Sequence, residues 1–304
     1  MDNLFVIPDS YDSKYLDFVR CRPFIDSLHE SLIKNIIGKK LSYPEATILD
    51  DSYTAAGANP GLTKPIFETF KKEFRRHLEG STLNQITGFD SFVRDDICLG
   101  CTQYMDNLHI RHDVQVLSDE YRYHRLLNPN ISQTEVGSLI PNKPLIISIP
   151  FSIIGKVHER MDEILQECLE KNIDLHLDGA WITAAKNVNI DLSHPAIKSF
   201  AVSMSKGYGL AGWNRIGVRW VKEVEEDSIT IMNDYSQINT MCVVVGNYFL
   251  NNVDPDHLWN THGENHYKLC FDFDLTPSDT IHMATKEGHI VGLTPLLMRL
   301  ENNV

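Results

Sequence analysis

The sequence predicts an α/β protein in which helices sandwich a mostly parallel sheet. Two apolar runs, at 145–149 and 173–177, are separated by a helical pattern of apolar residues over 157–169. A strand, helix, strand unit of this kind places both strands parallel in one sheet. Further short runs of alternating apolar residues end in turns rich in glycine and small residues, which is typical of the strands of such a sheet.

The chain of 304 residues is long enough for one large domain with a smaller attachment. The predicted parts are an N-terminal segment over 1–60, a large α/β domain over 61–222 and a reduced C-terminal small domain over 223–304. Helical spacing of apolar residues predicts helices over about 23–39, 65–78 and 241–250. We expect the polar stretch from Ser132 to Lys143 to be a connection.

Composition argues against nucleic acid and membranes as partners. The chain carries 28 basic and 41 acidic residues, and its net charge of -13 repels phosphate-rich surfaces. No apolar run approaches the ~20 residues that span a bilayer. The N-terminus, Met1-Asp2-Asn3-Leu4, lacks the basic flank and the apolar core of a signal peptide.

The six cysteines are scattered along a chain too long to need disulfides for stability. This usage fits reduced thiols, so we expect a cytoplasmic protein. Cys98-x-x-Cys101 has the spacing of a metal or redox pair, but no second pair or nearby pair of histidines accompanies it. No metal site is therefore expected.

The most informative stretch is the glycine-rich turn between Ser203 and Gly217. Alternating apolar residues on both sides predict two strands, which puts Lys206 at a strand end. A lysine with limited hydration can lose its proton near neutral pH, and a carbonyl-condensing amine must do so. Ser203, Ser205 and Arg215 are donors suited to a phosphate dianion. An amine beside a phosphate-binding group points to pyridoxal phosphate.

A second landmark is a carboxylate at the end of another predicted strand. Ile173, Leu175 and Leu177 alternate into Asp178, and α/β sheets bind ligands at the carboxyl ends of their strands. Pyridoxal phosphate needs a carboxylate on its ring nitrogen to act as an electron sink.

The order Asp178, Ser203-x-x-Lys206 and Arg215-x-Gly217 resembles the pattern of the aspartate aminotransferase superfamily, the pyridoxal-phosphate enzymes of fold type I. The resemblance is strongest from about 97 to 220, and the interval from Lys206 to Arg215 is one residue longer than the commonest spacing. It implies pyridoxal 5'-phosphate as cofactor and a homodimer with active sites at its interface. It also implies that Lys206 forms the internal aldimine and moves a proton at the substrate α-carbon.

The family's phosphate cup matches a turn near residue 100. Ile97 to Gln103 is predicted to be a strand end, a small-residue turn and a helix start, where free N–H groups favour an anion. The resemblance assigns Gly100, Cys101 and Thr102 to this cup, with Cys101 as a small neutral filler. An ordinary strand-to-helix turn is the alternative.

Three further positions match the family's contacts to the cofactor ring. Tyr123 matches the stacked aromatic residue, with Tyr121 as second choice. Ser152 aligns with an asparagine that bonds the ring hydroxyl, and Trp181 stands where many aminotransferases have a tyrosine. Both are departures from the family pattern, because serine offers one such bond and an indole offers only an N–H donor.

Three residues are weaker candidates for substrate contacts. Arg299 is the only arginine after Arg219, and in the family an arginine of the small domain binds the substrate α-carboxylate. A helix-surface arginine is the alternative. Tyr53 and Asn59 could shape the substrate mouth from the N-terminal segment, or lie in a plain loop.

The reaction class stays divided between two branches of the family. Gly212-x-x-Arg215-x-Gly217 favours an aminotransferase, which is the first prediction. Leu175-His176-Leu177-Asp178-Gly179-Ala180 resembles the threonine aldolases and β-eliminating lyases, although the arginine that follows this motif there is absent. A degenerate member without catalysis is the third alternative.

Overall fold

A seven-stranded sheet forms the centre of the computed structural model, which describes residues 25–38, 65–212 and 214–301. Its helices are α1 (Ser27–Gly38), α2 (Pro65–Glu79), α3 (Cys101–Arg111), α4 (Tyr123–Leu127), α5 (Met161–Glu170), α6 (Ser228–Asp234), α7 (Thr240–Asn252), α8 (His257–Asp272) and α9 (Thr294–Glu301). Its strands are β1 (Gln85–Thr87), β2 (Arg94–Cys98), β3 (Gln115–Leu117), β4 (Ser132–Thr134), β5 (Leu145–Ser148), β6 (Leu175–Gly179), β7 (Asn189–Asp191), β8 (Ile197–Ser203), β9 (Gly217–Val221), β10 (Thr276–Pro277), β11 (Met283–Lys286) and β12 (His289–Gly292).

Strand directions place many strand ends at one edge of the central sheet. The strand order is β2-β9-β8-β6-β5-β3-β4. Strands β4, β3, β5, β6 and β8 pair in parallel, whereas β9 is antiparallel to both β8 and β2. Six strands therefore run in one direction, and their carboxyl ends meet the beginning of β9. The mostly parallel α/β sheet and the crossover from β5 through α5 to β6 are confirmed.

The core forms because the parallel strands are apolar on both faces. Leu145, Ile146 and Ile147 of β5 are fully buried, as expected for a strand covered by helices on both sides. On α2, Phe67, Phe70 and Phe74 recur at helical spacing and are also buried. The amphipathic pattern thus fixes which face of this helix packs on the sheet.

The predicted helices at 65–78 and 241–250 correspond to α2 and α7, and the helix predicted over 23–39 to α1. One expectation is wrong. The stretch from Ser132 to Lys143 is not only a connection, because it begins with strand β4, which pairs with β3 at the sheet edge. Its sequence, Ser-Gln-Thr, has no apolar residue to indicate a strand, and an edge position does not require one.

A second, smaller core lies in the C-terminal part. Strands β10, β11 and β12 form an antiparallel sheet, and Leu258, Leu269, Val291 and Leu297 are buried with it. Helix α7 instead packs with the main core through Val243 and neighbouring residues. We propose that the two parts divide at 254–256, after α7, rather than at 222. No helix among the described residues is both long enough and apolar enough to cross a bilayer.

A buried ion-pair network ties β9 to its neighbours. Arg219 on β9 is 4% exposed, and its guanidinium donates to Asp96 on β2 at 2.7 Å and to Asp227, the N-cap residue of α6. Asp227 also accepts from Asn107 on α3 at 2.8 Å. Asp96 also pairs with Arg94 at 2.7 Å. Removing the Arg219 cation therefore leaves the buried carboxylate of Asp227 without a charged partner and Asp96 with Arg94 alone.

We expect Arg219→Met to lower the free energy of unfolding by about 3–5 kcal/mol, because an unpaired buried charge is costly. Arg111→Met is the matched control, since Arg111 pairs with Glu225 at 3.6 Å on the surface and such pairs contribute about 0–1 kcal/mol. Urea unfolding of both variants measures the difference. Equal stability of the two variants would contradict the role given to the network.

Candidate active site

The C-terminal edge of the sheet gathers the polar residues that the sequence singled out. Asp178 lies on β6, Lys206 follows β8, and Gly100 follows β2. Arg215 precedes β9, the antiparallel strand that begins at this same edge. The topology thus brings together residues more than a hundred positions apart in the chain.

An anion cup forms between the beginning of α3 and the turn after β8. Gly100 precedes α3 with φ of 76°, a conformation that glycine adopts without strain. A Cβ built on Gly100 would lie 3.2 Å from Ser203 Cβ and 3.7 Å from the Oγ of both Ser203 and Ser205. Glycine therefore leaves open the space between the helix N-terminus and these hydroxyls, where free N–H groups favour an anion.

Arg215 completes the rim of this cup. Its Nη2 donates to Thr102 Oγ1 at 2.6 Å, and the side chain is exposed. The residue predicted from the Arg-x-Gly motif and the residue predicted from the strand-turn-helix motif are therefore in direct contact. A guanidinium, two serine hydroxyls and a helix N-terminus form a donor set suited to a phosphate.

Asp178 is buried at the floor of the site. Its side chain is 3% exposed, and Oδ1 accepts the Ala180 N–H at 2.9 Å. Burial raises the pKa of Asp178 to about 6, and the nearby Glu120 carboxyl adds to the rise. Hydrogen bonds from the Cys101 thiol and from Ala180 act in the opposite direction. A carboxylate in this position favours a cationic partner.

Lys206 is half-buried and lies against the face of an indole ring. Its Nζ is 4.5 Å from the ring centroid of Trp181, within the range of a cation–π contact. Trp181 in turn packs on His282, with ring centroids 5.4 Å apart. Burial lowers the pKa of His282 to about 3, so this imidazole is neutral beside the lysine. Trp181 therefore contributes a ring face toward Lys206 at the position where many aminotransferases have a tyrosine.

Glu120 is a site residue that the sequence reasoning missed. Its side chain is 2% exposed and accepts hydrogen bonds from Ser148 N at 2.8 Å, from Ser148 Oγ and from Ser152 Oγ at 2.9 Å. Ser148 pairs directly with Asp178 across β5 and β6. Burial raises the pKa of Glu120, so the site holds two acidic groups with elevated pKa values. The one feature of the sequence that could have indicated Glu120 is its position three residues after the end of β3.

The predicted ring-contact residues lie at two places around the edge. Ser152 belongs to the site because its Oγ donates a hydrogen bond to Glu120. Tyr123 lies at the start of α4, where its hydroxyl donates to Asp106 on α3 at 2.8 Å and its ring stacks on Tyr121. Burial and the hydrogen bond to Asp106 raise the pKa of Tyr123 to about 12. Stacking of Tyr123 on the cofactor stays a prediction.

The cysteine pair lies inside the protein. Cys98 and Cys101 are buried free thiols, and burial raises the pKa of both, that of Cys98 to about 12. Protonated thiols are poor metal ligands. The Cys101 Sγ lies 3.5 Å from Ala201 O, so Cys101 packs as a small group between α3 and β8.

Arg299, Tyr53 and Asn59 are the weaker candidates for substrate contacts. Arg299 is exposed in the last turn of α9, and its role as a carboxylate ligand stays a prediction. Tyr53 and Asn59 lie outside the described residues.

These positions suit the three functional groups of pyridoxal phosphate. The cup has donors for a phosphate, Asp178 offers a carboxylate for a ring nitrogen, and Lys206 offers an amine for an aldehyde. The space that Gly100 keeps open beside Ser203 and Ser205 is the observation in favour of a phosphate at this place. The residues therefore fit the cofactor that the sequence motifs indicated.

Several solved structures share this architecture. Neither a protein-family model nor a curated protein matches the sequence. The PLP-bound C-S lyase from Staphylococcus hominis matches with a TM-score of 0.59 at 11% identity, over 100% of this chain and 95% of that chain. L-threonine-O-3-phosphate decarboxylase from Porphyromonas gingivalis matches with 0.55 at 12% identity, over 88% and 80%. Aspartate aminotransferase from Thermotoga maritima matches with 0.52 at 12% identity, over 94% and 92%. The chain has the fold of the fold-type-I enzymes.

Fold type I, expected from the Asp178, Lys206 and Arg215 motifs, is therefore confirmed. In this fold-type-I chain the three motif residues lie at one sheet edge although their sequence contexts differ from the family pattern.

The raised pKa of Asp178 predicts a pH-dependent stability of the cofactor-free protein. Between the ordinary pKa of 3.8 and the folded value of about 6, the unfolded chain ionises first, so stability falls as pH rises through this window. Asp178→Asn removes this loss. We expect the variant to be more stable than wild type by about 3 kcal/mol near pH 7.5 and by only about 1 kcal/mol near pH 4.5.

Urea unfolding of the cofactor-free wild type and variant at the two pH values measures this difference. Asp113→Asn serves as a control, because Asp113 is exposed at the surface. A gap between wild type and Asp178→Asn that is the same at both pH values would contradict the assignment.

Proposed function

We propose that this protein is a pyridoxal-phosphate-dependent enzyme that acts on the amino group of an amino acid or a related amine, with aminotransfer as the first choice of reaction. The convergence of Lys206, Asp178 and the anion cup at one sheet edge carries the proposal. The fold shared with a lyase, a decarboxylase and an aminotransferase supports it.

In this proposal each residue has one chemical task. Gly100, Thr102, Ser203, Ser205 and Arg215 hold the phosphate and so fix the cofactor in the edge. The cofactor supplies an electron sink for the electron pair left on the substrate α-carbon. The buried carboxylate of Asp178 holds a proton at the ring nitrogen, because its low-dielectric surroundings strengthen attraction to a cation.

Lys206 provides the amine that binds the cofactor covalently and later acts as the general base. With cofactor and substrate bound, the Nζ would carry a proton between the substrate α-carbon and the cofactor's C4′. Trp181 and the neutral His282 form an aromatic wall against this amine, which limits the access of water. Glu120 holds Ser148 and Ser152 in place beside Asp178.

A lyase is the second candidate, and two observations favour it. The strand of Asp178 has the Leu-His-Leu-Asp-Gly-Ala sequence that resembles the lyase branch. The C-S lyase from Staphylococcus hominis matches over the whole chain. A non-catalytic member is the third candidate and predicts a bound cofactor without turnover, or none bound.

We further propose a homodimer in a reducing compartment such as the cytoplasm. The free thiols of all five described cysteines support the second part, since four of them are buried and none pairs with another. The homodimer rests on the family resemblance. Light scattering of the purified protein at several concentrations tests it.

Lys206→Ala should abolish covalent binding of the cofactor, because Lys206 is the amine that follows β8 at the sheet edge of Asp178 and the cup. With added pyridoxal phosphate, the wild type should show a visible absorption band that borohydride fixes onto the peptide containing Lys206. Lys198→Ala is the matched control, since Lys198 lies on the same strand β8 but near its other end. A missing band in the wild type at saturating cofactor, or an unchanged band in Lys206→Ala, would contradict the proposal.

The products of the reaction distinguish an aminotransferase from a lyase. With a panel of amino acids, an aminotransferase should require an added 2-oxo acid and convert it into an amino acid. A lyase should release ammonia or an aldehyde without any acceptor. We expect acceptor-dependent turnover that falls at least about 100-fold in Lys206→Ala, because general acid–base catalysis contributes about 10²–10⁴-fold. Acceptor-independent ammonia release would favour the lyase, and cofactor binding without any turnover would favour the non-catalytic member.

A further inference from the structure

A buried cluster of one carboxylate and several imidazoles joins the beginning of α1 to α8. Asp26 Oδ2 lies 2.5 Å from His257 Nε2 and 3.0 Å from His262 Nε2. The exposed fractions of the three side chains are 2%, 16% and 3%. Asp26 and the two histidines are separated by more than 230 residues in sequence, so only the fold brings them together.

The three groups have the donors and the spacing of a transition-metal site. One ligand atom from each of Asp26, His257 and His262 lies within 4.8 Å of the other two. Carboxylate oxygen and imidazole nitrogen are common ligands of zinc. Zinc bonds of about 2.0–2.1 Å in tetrahedral geometry set the ligand atoms about 3.3 Å apart, so the Asp26 oxygen would need to move away from each histidine nitrogen by less than about 1 Å.

A second observation concerns His29, one turn into α1. Its side chain is 0% exposed, and within the described part of the chain neither ring nitrogen has a hydrogen-bond partner. The His29 Nδ1 nevertheless lies 3.3 Å from Asp26 Oδ1, and its ring meets the ring of His257 edge-on at 5.5 Å between centroids. A buried polar atom without a partner is costly. Hydrogen bonds between Asp26 and two histidines can satisfy those three residues, but they leave His29 unexplained.

Hydrogen bonds to neighbouring groups already orient Asp26 and His257 toward each other. The Asp26 Oδ1 accepts the backbone N–H of His29 at 3.0 Å, which directs Oδ2 toward α8. The Nδ1 of His257 lies 3.3 Å from Thr261 Oγ1, which leaves Nε2 facing the carboxylate. Partners of this kind fix the ring orientation of metal-binding histidines.

We propose that Asp26, His257 and His262 bind a divalent transition metal of the zinc type. The buried His29, which lies outside this set of three, would turn toward the metal as the fourth ligand. The metal would fasten α1 to α8, and thereby join the N-terminal segment to the C-terminal part. This site is separate from the sheet-edge residues and does not depend on the proposed function. It departs from the expectation of no metal, which considered only the cysteine pair.

The test uses the full-length protein stripped of metal by a chelator and then titrated with Zn²⁺. We expect about one tightly bound zinc per chain, and a melting temperature that rises with zinc concentration because the metal binds the folded state. Asp26→Asn and His262→Asn should weaken zinc binding by at least about 10- to 100-fold. His289→Asn is the control, since His289 is exposed on β12, and it should bind zinc as the wild type does.

Cobalt substitution of the wild type tests the site without relying on the folding of a variant. We expect the spectrum of a tetrahedral nitrogen and oxygen site, without a thiolate charge-transfer band. A thiolate band, no stoichiometric metal binding by the folded wild type, or unchanged zinc affinity in Asp26→Asn and His262→Asn would each overturn the proposal.

Discussion

The candidate active site depends on a close approach of backbones at Gly217. A Cβ built at this position would lie 2.3 Å from Val202 O and 3.2 Å from Gly100 Cα, so no larger residue fits without movement of the strands. Glycine lets β9 begin directly against the ends of β8 and β2. Because β9 is antiparallel, its first residues lie at the edge where the other strands end. Arg215 therefore reaches Thr102, and the two halves of the anion cup meet.

The electrostatics of the edge follow from its burial. Asp178 and Glu120 are both almost inaccessible, and desolvation raises the pKa of each. Two neighbouring acids in a site of low dielectric make ionisation of Asp178 costly unless a cation is bound. The aromatic face of Trp181 and the neutral imidazole of His282 form the wall near Lys206. The cup, Asp178 and Lys206 thus suit a ligand that combines an anionic group, a cationic ring nitrogen and a carbonyl.

The sequence was sufficient to predict the parts of the site whose signals are local. The apolar run before Asp178, the alternation before Lys206 and the small-residue turn at Gly100 each indicate a strand end, and the structure has them at one edge. Other residues carry a weak local signal or none. Glu120 stands in a polar stretch and is marked only by its position shortly after β3. His282 reaches the site from the C-terminal part, so only tertiary contact identifies it. Trp181 was predicted to contact the cofactor ring, as an indole in place of a tyrosine, and its contact with Lys206 is visible only in the tertiary structure.

The central claim is that the edge defined by Asp178, Lys206 and the anion cup binds pyridoxal phosphate. A crystal structure of the protein soaked with this cofactor tests it most directly. The account predicts the phosphate at the N-terminus of α3 beside Ser203 and Arg215, the ring nitrogen against Asp178 and a covalent bond to Lys206. A cofactor bound elsewhere, or an edge that stays without it at saturating concentration, would contradict the account.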